Sequence, residues 1–288
     1  MRQVAFLTAE PWKDLWHDDR LAVAPLARRG VEVVPVCWDR TSPGQLERFD
    51  AVVMRSPWDW FTRRPEFRTF LRSLQGLRTR VLNAPPVLEA FADKQYLPRL
   101  EALGVPVVPT VVLAPDRLGT VPAVLRERGW NEGVLKPAFT AGAFDAHRVT
   151  AKDDDLMARM PVLPADERWL VQPFLPAVVD DGEWSLLFFG GRFSHAVKKS
   201  AKAGDWRVQE LWGGQVQPVD VPDSLVEQAR TTLERAATGT LYARVDGVMD
   251  GRVFRLMELE LVEPDLYLRC ASGSEERFAD ALLAAMPG

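Results

Sequence analysis

Cysteine, histidine and tyrosine are scarce in this 288-residue chain, with two, three and three copies. Cys37 and Cys270 lie far apart and lack metal-ligand spacing, which excludes a zinc finger and a disulfide framework. Reduced thiols in a cytoplasmic protein are the expectation. No apolar run approaches the roughly 18 residues of a membrane span, so no membrane partner is expected. The N-terminal MRQVAFLTAEPW lacks an apolar signal core and a small-residue cleavage site, and reads as a first strand. No lysine/arginine block stands out and the net charge is −4, which argues against nucleic acid as a partner. Two glycine fingerprints are also missing. Neither GxGxxG after the first strand nor GxxxxGK[ST] occurs, so a dinucleotide fold and a P-loop are both excluded. No internal repeat or low-complexity tract is visible.

What remains is an ordinary globular composition, 47% hydrophobic and 26% charged. The length exceeds one compact core and implies two or three lobes. Ten tryptophans are unusual; clusters at Trp12–Trp16, Trp58–Trp60 and Trp206–Trp212 sit beside polar residues and suit a cleft. VAFLTA (4–9), VEVVPVCW (31–38), AVVMRS (51–56) and VLN (81–83) alternate with helical segments at 21–30 and 65–74. That rhythm predicts a parallel α/β domain over 1–85. A helix from Asp93 then leads into VPVVPTVVL (105–113), a helix at 121–129, GVLKPA (133–138), HRVTA (147–151), a helix at 153–160 and WLVQPFL (169–175). These give a second lobe, 86–170. EWSLLFF and RFSHAVKK flank Gly190-Gly191 as a hairpin. VEQARTTLERAA is helical, LYARVDGVM and RVFRLMELEL flank Asp250-Gly251, and a helix ends the chain at 274–286. The third unit is 171–288. The class is α/β (α+β): a parallel domain followed by two lobes of mixed or antiparallel sheets.

LMELELVEPDLYL (256–268) carries the chemistry. Glu258 and Glu260 are two apart on a strand and point the same way, with Glu263 close behind. Such carboxylates repel unless a cation lies between them. Asp246 is on the preceding strand. A two-residue Asp250-Gly251 loop sets Asp246 opposite Arg255, facing away from Glu258; a three-residue loop or a bulge brings all three acids to one face. Three carboxylates without histidine or cysteine suit a hard cation, Mg²⁺ or Mn²⁺. The alternative is a solvated sheet face on which the acids pair with Arg244 or Arg255.

Basic residues complement these acids. Lys94 opens a helix, and Lys136 sits in an apolar strand where it needs an anionic partner. AFTAGAF after it is a small-residue loop able to bring backbone N–H groups to phosphate. Lys198, Lys199, Arg207 and Gly213-Gly214 follow.

The ordered set resembles the ATP-grasp superfamily, in its glutathione-synthetase-like and ribosomal-protein-modifying branch, over about residues 84–270. The resemblance implies that Lys94 and Lys136 contact the phosphates of ATP. It also implies that Gln172, Phe174 and Leu175 of VQPFL pass the adenine, and that Glu183 touches ribose or orients a loop. Arg207, six residues before Gly213-Gly214, and Lys199 fit the branch pattern; Asp246, Glu258 and Glu260 fit its metal ligands, with glutamate where asparagine is usual. RSPWDW, ELWGGQVQPVD and ELELVEPDLYL are similar to a smaller group that includes the cyclo-ligase of D-cycloserine biosynthesis, which closes O-ureido-serine into a ring. The implied reaction is activation of a small carboxylate by ATP and Mg²⁺ as an acyl phosphate, captured by a nitrogen nucleophile. Lys199 is expected, with Lys94 and Lys136, to offset phosphate charge, and Arg207 to stabilise the transferring phosphoryl group or the acyl phosphate; Arg244, two before Asp246 on the same face, is expected to orient a carboxylate. Arg55 is expected as a substrate contact with Trp58 as a wall, Gly213-Gly214 beside the substrate, and loops 138–143 and 200–214 closing over it. Monomer and homodimer both fit. A phosphotransferase or a non-catalytic nucleotide-binding module would use the same nucleotide site.

Overall fold

The structure, a computed structural model, describes residues 1–153, 156–160, 162 and 164–287. β1 (Arg2–Thr8), β2 (Val31–Cys37), β3 (Ala51–Ser56) and β4 (Arg80–Leu82) form a parallel sheet in the order β2-β1-β3-β4. The runs of Val, Ala, Phe and Met in the central strands β1 and β3 are buried on both faces, as a sheet covered by crossover helices requires. The expected helix at 21–30 is two short helices, His17–Leu21 and Val23–Arg28.

β5 (Val111–Leu113), β6 (Glu132–Pro137), β7 (His147–Thr150) and β8 (Trp169–Pro173) form an antiparallel sheet in the order β5-β8-β6-β7. VPVVPTVVL is not one strand: Pro106 and Pro109 remove two ladder donors, and only its last three residues pair. Val107 instead makes a lone bridge to Leu256. The expected helix at 153–160 is seen as Leu156–Arg159, its residues 154 and 155 being outside those described. The expected division at 170 falls inside β8, whose pairing with β5 and β6 keeps it in this sheet.

The third sheet, β11-β10-β9-β12-β13, is antiparallel: β9 (Glu183–Phe189), β10 (Arg192–Ser200), β11 (Gln215–Pro218), β12 (Tyr242–Asp250) and β13 (Val253–Glu260). Sequence reasoning missed β11 and the helix Pro85–Ala92. One apolar cluster joins Val4, Phe6 and Val53 of the parallel sheet to Leu187, Tyr242 and Phe278. Buried Asn83 fastens that junction: its side-chain N–H groups donate to the carbonyls of Tyr242 and Leu261, and its Oδ1 accepts from Leu241 N–H at 2.7 Å. The Tyr242 hydroxyl reaches the Met54 carbonyl at 2.6 Å. Seven backbone and side-chain groups are thus paired where water is excluded.

Candidate active site

The acidic face depends on register. The β12–β13 loop is Gly251-Arg252, with Asp250 opposite Val253. Unbroken, that pairing would turn Asp246 away from Glu258. Met257 is an extra residue on β13, and beyond this bulge Asp246 stands directly opposite Glu258. The bulge, not a three-residue loop, brings the acids to one face. Gly247 marks the spot: a Cβ there would lie 2.3 Å from the Arg255 carbonyl oxygen and 2.6 Å from the Phe254 ring. The inner face of β13 carries the same signature, since Phe254, Leu256, Leu259 and Leu261 are buried at spacings of two, three and two.

These acids line a cavity of about 670 Å³. Each is held by a protein cation. Lys94 Nζ lies 2.9 Å from Glu258 and also donates to the Thr140 carbonyl. Lys199 bridges Glu183 at 2.5 Å and Asp246 at 3.1 Å. Arg244 Nε donates to both Asp246 oxygens, at 3.0 and 3.1 Å, while its Nη2 pairs with Glu260. Burial and the neighbouring carboxylates push Glu260 up to about 8, against the pull of Arg244. Burial would lower Lys199, but Asp246 and Glu183 raise it. Lys136 is the exception: burial pulls it below the usual lysine value, Glu258 opposes this, and Lys94 adds to it. A lysine destabilised as a cation, in a cavity of this size, suits an anionic ligand.

Among the described residues no three acidic, histidine or cysteine side chains form a metal cage by themselves. The all-oxygen donors fit Mg²⁺ in its usual mode with nucleotides, one or two carboxylates with the remaining positions taken by phosphate and water.

At the other wall Gln172, Phe174 and Leu175 line the cavity with Met257. The Gln172 amide donates to Thr110 Oγ1 at 2.9 Å, and the Arg148 guanidinium stacks 3.9 Å over Phe174. Arg207 lines the cavity, held by Asp205 at 2.8 Å and lying 3.8 Å over Trp212. The Trp212 indole N–H donates to the Gly142 carbonyl at 2.8 Å, so the two expected closing loops touch.

Arg55 does not reach the cavity, contrary to the expectation of a substrate contact. It is 1% exposed, donates to Asp19 and to the Pro264 carbonyl at 2.9 Å each, and lies over the Tyr242 ring. β3 runs inward at this point, and Asp19 arrives from a helix that sequence spacing does not connect to it. Gly213 and Gly214 follow the lining residues 207–211 without lining the cavity. Gly214 is instead wedged against the Val208 carbonyl, where a Cβ would lie 2.1 Å away. Trp58 does line the cavity, with Trp12, Trp16 and Trp60. Trp12 and Trp16 meet Trp58 edge to face at 5.4 and 5.2 Å. Trp60 donates to the Glu263 carboxylate at 2.7 Å. Sequence reasoning assigned no role to Asp265 or Tyr267, which also line the cavity; both follow Pro264 in a loop without periodicity.

A parallel α/β domain followed by antiparallel lobes that enclose a lysine- and carboxylate-lined cleft is the build of an ATP-grasp ligase. A profile for the N-terminal domain of the D-cycloserine synthetase DcsG matches residues 4–83. The cycloserine biosynthesis protein DcsG of Streptomyces lavendulae is 34% identical over 249 residues, 82% of this chain and 83% of that protein. The chain belongs to the DcsG family, and is an ATP-dependent ligase that forms carbon–nitrogen bonds. The crystal structure of D-cycloserine synthetase DcsG is 28% identical with a TM-score of 0.84, covering 98% of this chain and 99% of that one. The ATP-grasp ligase PsnB, solved with its minimal precursor, Mg and ADP, shares the fold at 17% identity and a TM-score of 0.64, covering 98% and 96%.

Proposed function

We propose that this ligase activates the carboxylate of a small amino-acid-like substrate as an acyl phosphate and joins it to a nitrogen, in the same molecule when that substrate is an O-ureido amino acid. The observation that carries the reading is one cavity bounded by Lys94, Lys136 and Lys199 together with Asp246, Glu258 and Glu260, with Arg207 and Arg244 in its wall. Lys94 and Lys136 bind the phosphates of ATP, and Lys136 regains there the charge stabilisation that burial denies it. Gln172, Phe174 and Leu175 flank the adenine. Glu183 fixes Lys199 in place, and Gly213-Gly214 acts through the loop that carries Arg207. Asp246, Glu258 and Glu260 would hold Mg²⁺, or Mn²⁺ of the same donor preference; when bound it neutralises charge on the phosphate oxygens.

A substrate carboxylate oxygen attacks the γ-phosphorus and ADP leaves with the bond electrons. Such transfer needs alignment and positive charge more than covalent help, which Arg207 and Arg244 supply to the phosphoryl oxygens. Trp58 and its aromatic neighbours exclude water that would hydrolyse the acyl phosphate. The three sheets correspond to an N-terminal substrate-side domain and two nucleotide-binding lobes of a cytoplasmic enzyme.

The test is ADP release over a panel of amino acids and their O-ureido and hydroxylamine derivatives, with products identified by mass. Hydroxamate formed in added hydroxylamine marks an acyl phosphate. ADP release with a stable phosphate ester and no hydroxamate would replace the ligase with a phosphotransferase.

A further inference from the structure

We propose that Glu263 binds the α-ammonium group of the amino-acid substrate, with the indole rings of Trp58 and its neighbours completing that pocket. The proposal rests on the reading of an amino-acid-like carboxylate substrate and names the group that selects it. Every other carboxylate in the cavity wall already faces a protein cation. Lys94 holds Glu258, Lys199 holds Glu183 and Asp246, and Arg244 holds Glu260. Arg269 holds Glu210 at 2.6 Å and Asp265 at 3.2 Å. Among the described residues Glu263 alone lines the cavity as a carboxylate without an ion-pair partner. What it has is a neutral donor, the Trp60 indole N–H, at 2.7 Å. A half-buried carboxylate with one neutral hydrogen bond keeps its attraction for a cation.

Its place is fixed in advance of binding. Trp58 Nε1 donates to the Glu263 carbonyl at 2.8 Å, Arg55 Nη2 to the Pro264 carbonyl at 2.9 Å, and Arg244 Nη1 to the Asp265 carbonyl at 3.0 Å. His195 Nε2 lies 3.0 Å from the Leu266 carbonyl and 3.1 Å from that of Tyr267. Successive carbonyls from 263 to 267 thus meet side-chain donors in place of a strand partner. The donors come from the N-terminal domain and from β10 and β12, so the segment is anchored from both sides. An acid held this way has little freedom left to lose when a ligand arrives.

The surroundings suit an organic ammonium better than a second metal ion. Trp58 and Trp60 both hydrogen-bond to Glu263, and Trp12 and Trp16 pack edge to face on Trp58 in the same wall. Indole faces attract an organic cation, whereas Mg²⁺ demands a shell of close oxygens that tryptophan does not offer. An ammonium between a carboxylate and indole rings keeps its proton. Its nitrogen then has no lone pair with which to attack an acyl phosphate. The α-amine is recognised and silenced by the same contact, and the uncharged ureido nitrogen is left to close the ring.

The experiment compares the wild type with Glu263→Gln on O-ureido-serine and on its analogue lacking the α-amine, 3-(ureidooxy)propanoate. ADP and product are measured over ranges of substrate and Mg²⁺ concentration. Where another amino acid of the panel is the better substrate, it and its own deaminated analogue form the pair. The wild type is expected to favour the amine-bearing substrate about 10- to 100-fold in kcat/KM, the worth of a hydrogen bond between charged groups, chiefly through KM. In Glu263→Gln that preference shrinks towards one, because the amide keeps the size and loses the charge. Equal kcat/KM for the two substrates in the wild type, or an undiminished preference in Glu263→Gln, overturns the assignment and leaves the ligase standing. An undiminished preference joined to a raised Mg²⁺ requirement also overturns it and makes Glu263 a metal ligand. Absence of ADP release by the wild type with this pair and the wider panel overturns the ligase reading, and this proposal with it. The wild-type comparison of the two substrates decides the matter should the variant fail to fold.

Discussion

Asp246 and Glu258 face each other across β12 and β13 only because Met257 is one residue too many for a regular ladder. The bulge is possible because Gly247 leaves room for the Arg255 carbonyl and the Phe254 ring. Gly247→Ala is therefore expected to cost about 1–3 kcal/mol of stability, the range for overpacking, and to lower ATP turnover as the two acids lose alignment. Gly251→Asn is the control: it lies at the hairpin tip with φ +62°, a conformation asparagine tolerates, and nothing lies within 4 Å. Urea unfolding and ADP release on both variants check this. Normal turnover in Gly247→Ala would detach the bulge from function.

Glu258→Gln separates a metal-holding role from a purely structural one. Glu258 is the ion-pair partner of Lys94, which also keeps the Thr140 carbonyl as an acceptor, so the variant stays folded. With Glu258 at the proposed metal site, removing its negative charge leaves ATP affinity without Mg²⁺ unchanged or tighter. Turnover with Mg²⁺ falls about 100-fold or more, because charge neutralisation there is worth several kcal/mol. Titration of ATP with and without Mg²⁺, alongside turnover, reads both effects. Wild-type turnover in the variant would remove Glu258 from the metal site.

Local pattern made much of this protein legible. Alternation over EWSLLFF and RFSHAVKK defines a hairpin on its own, and Lys136 stands out because a charge in an apolar strand needs a partner. The bulge at Met257 was also written in the spacing of Leu256 and Leu259, three apart where a strand wants two. What local pattern does not carry is pairing across distance. Arg55 and Asp19 are 36 residues apart and meet only because β3 and an N-terminal helix are brought together by tertiary packing. Pro106 and Pro109 converted an apolar run into an irregular segment, overriding its β-branched composition. Asp265 and Tyr267 sit in a loop held by Arg244 and His195, contacts that no periodicity announces.

The proposed role of Lys136 at the phosphates ties nucleotide binding to pH. Its pKa is lowered in the fold, so over the range between that value and 10.5 the unfolded chain binds more protons than the native one. The stability of the nucleotide-free enzyme therefore rises with pH across that window. Lys136→Met abolishes this part of the slope and removes a buried positive charge, so the free variant melts at the same temperature as the wild type or higher at pH 7. Its ATP affinity falls roughly 10- to 100-fold, the worth of a hydrogen bond to a charged group, and the ATP-induced rise in melting temperature shrinks with it. Melting curves from pH 7 to 10 with and without ATP measure all three. An undiminished ATP shift would place Lys136 outside the phosphate site.

Arg55 yields the opposite expectation from the one its motif suggested. It and Asp19 are a buried pair, 1% and 2% exposed, joined at 2.9 Å beneath the junction of the parallel sheet and the loop at Pro264. Burial raises Asp19 and Arg55 opposes it, so losing the guanidinium leaves an acid without its charge partner. Arg55→Met should cost about 3–5 kcal/mol, the penalty for breaking a buried pair on one side. Asp19→Leu alone should be comparably damaging, whereas the double variant recovers most of the loss, because two apolar groups of similar volume can replace an ion pair. Urea unfolding of the four proteins closes the cycle. If Arg55→Met instead retained stability and raised the KM for the carboxylate substrate alone, Arg55 would act on substrate after all and the buried pair would be incidental.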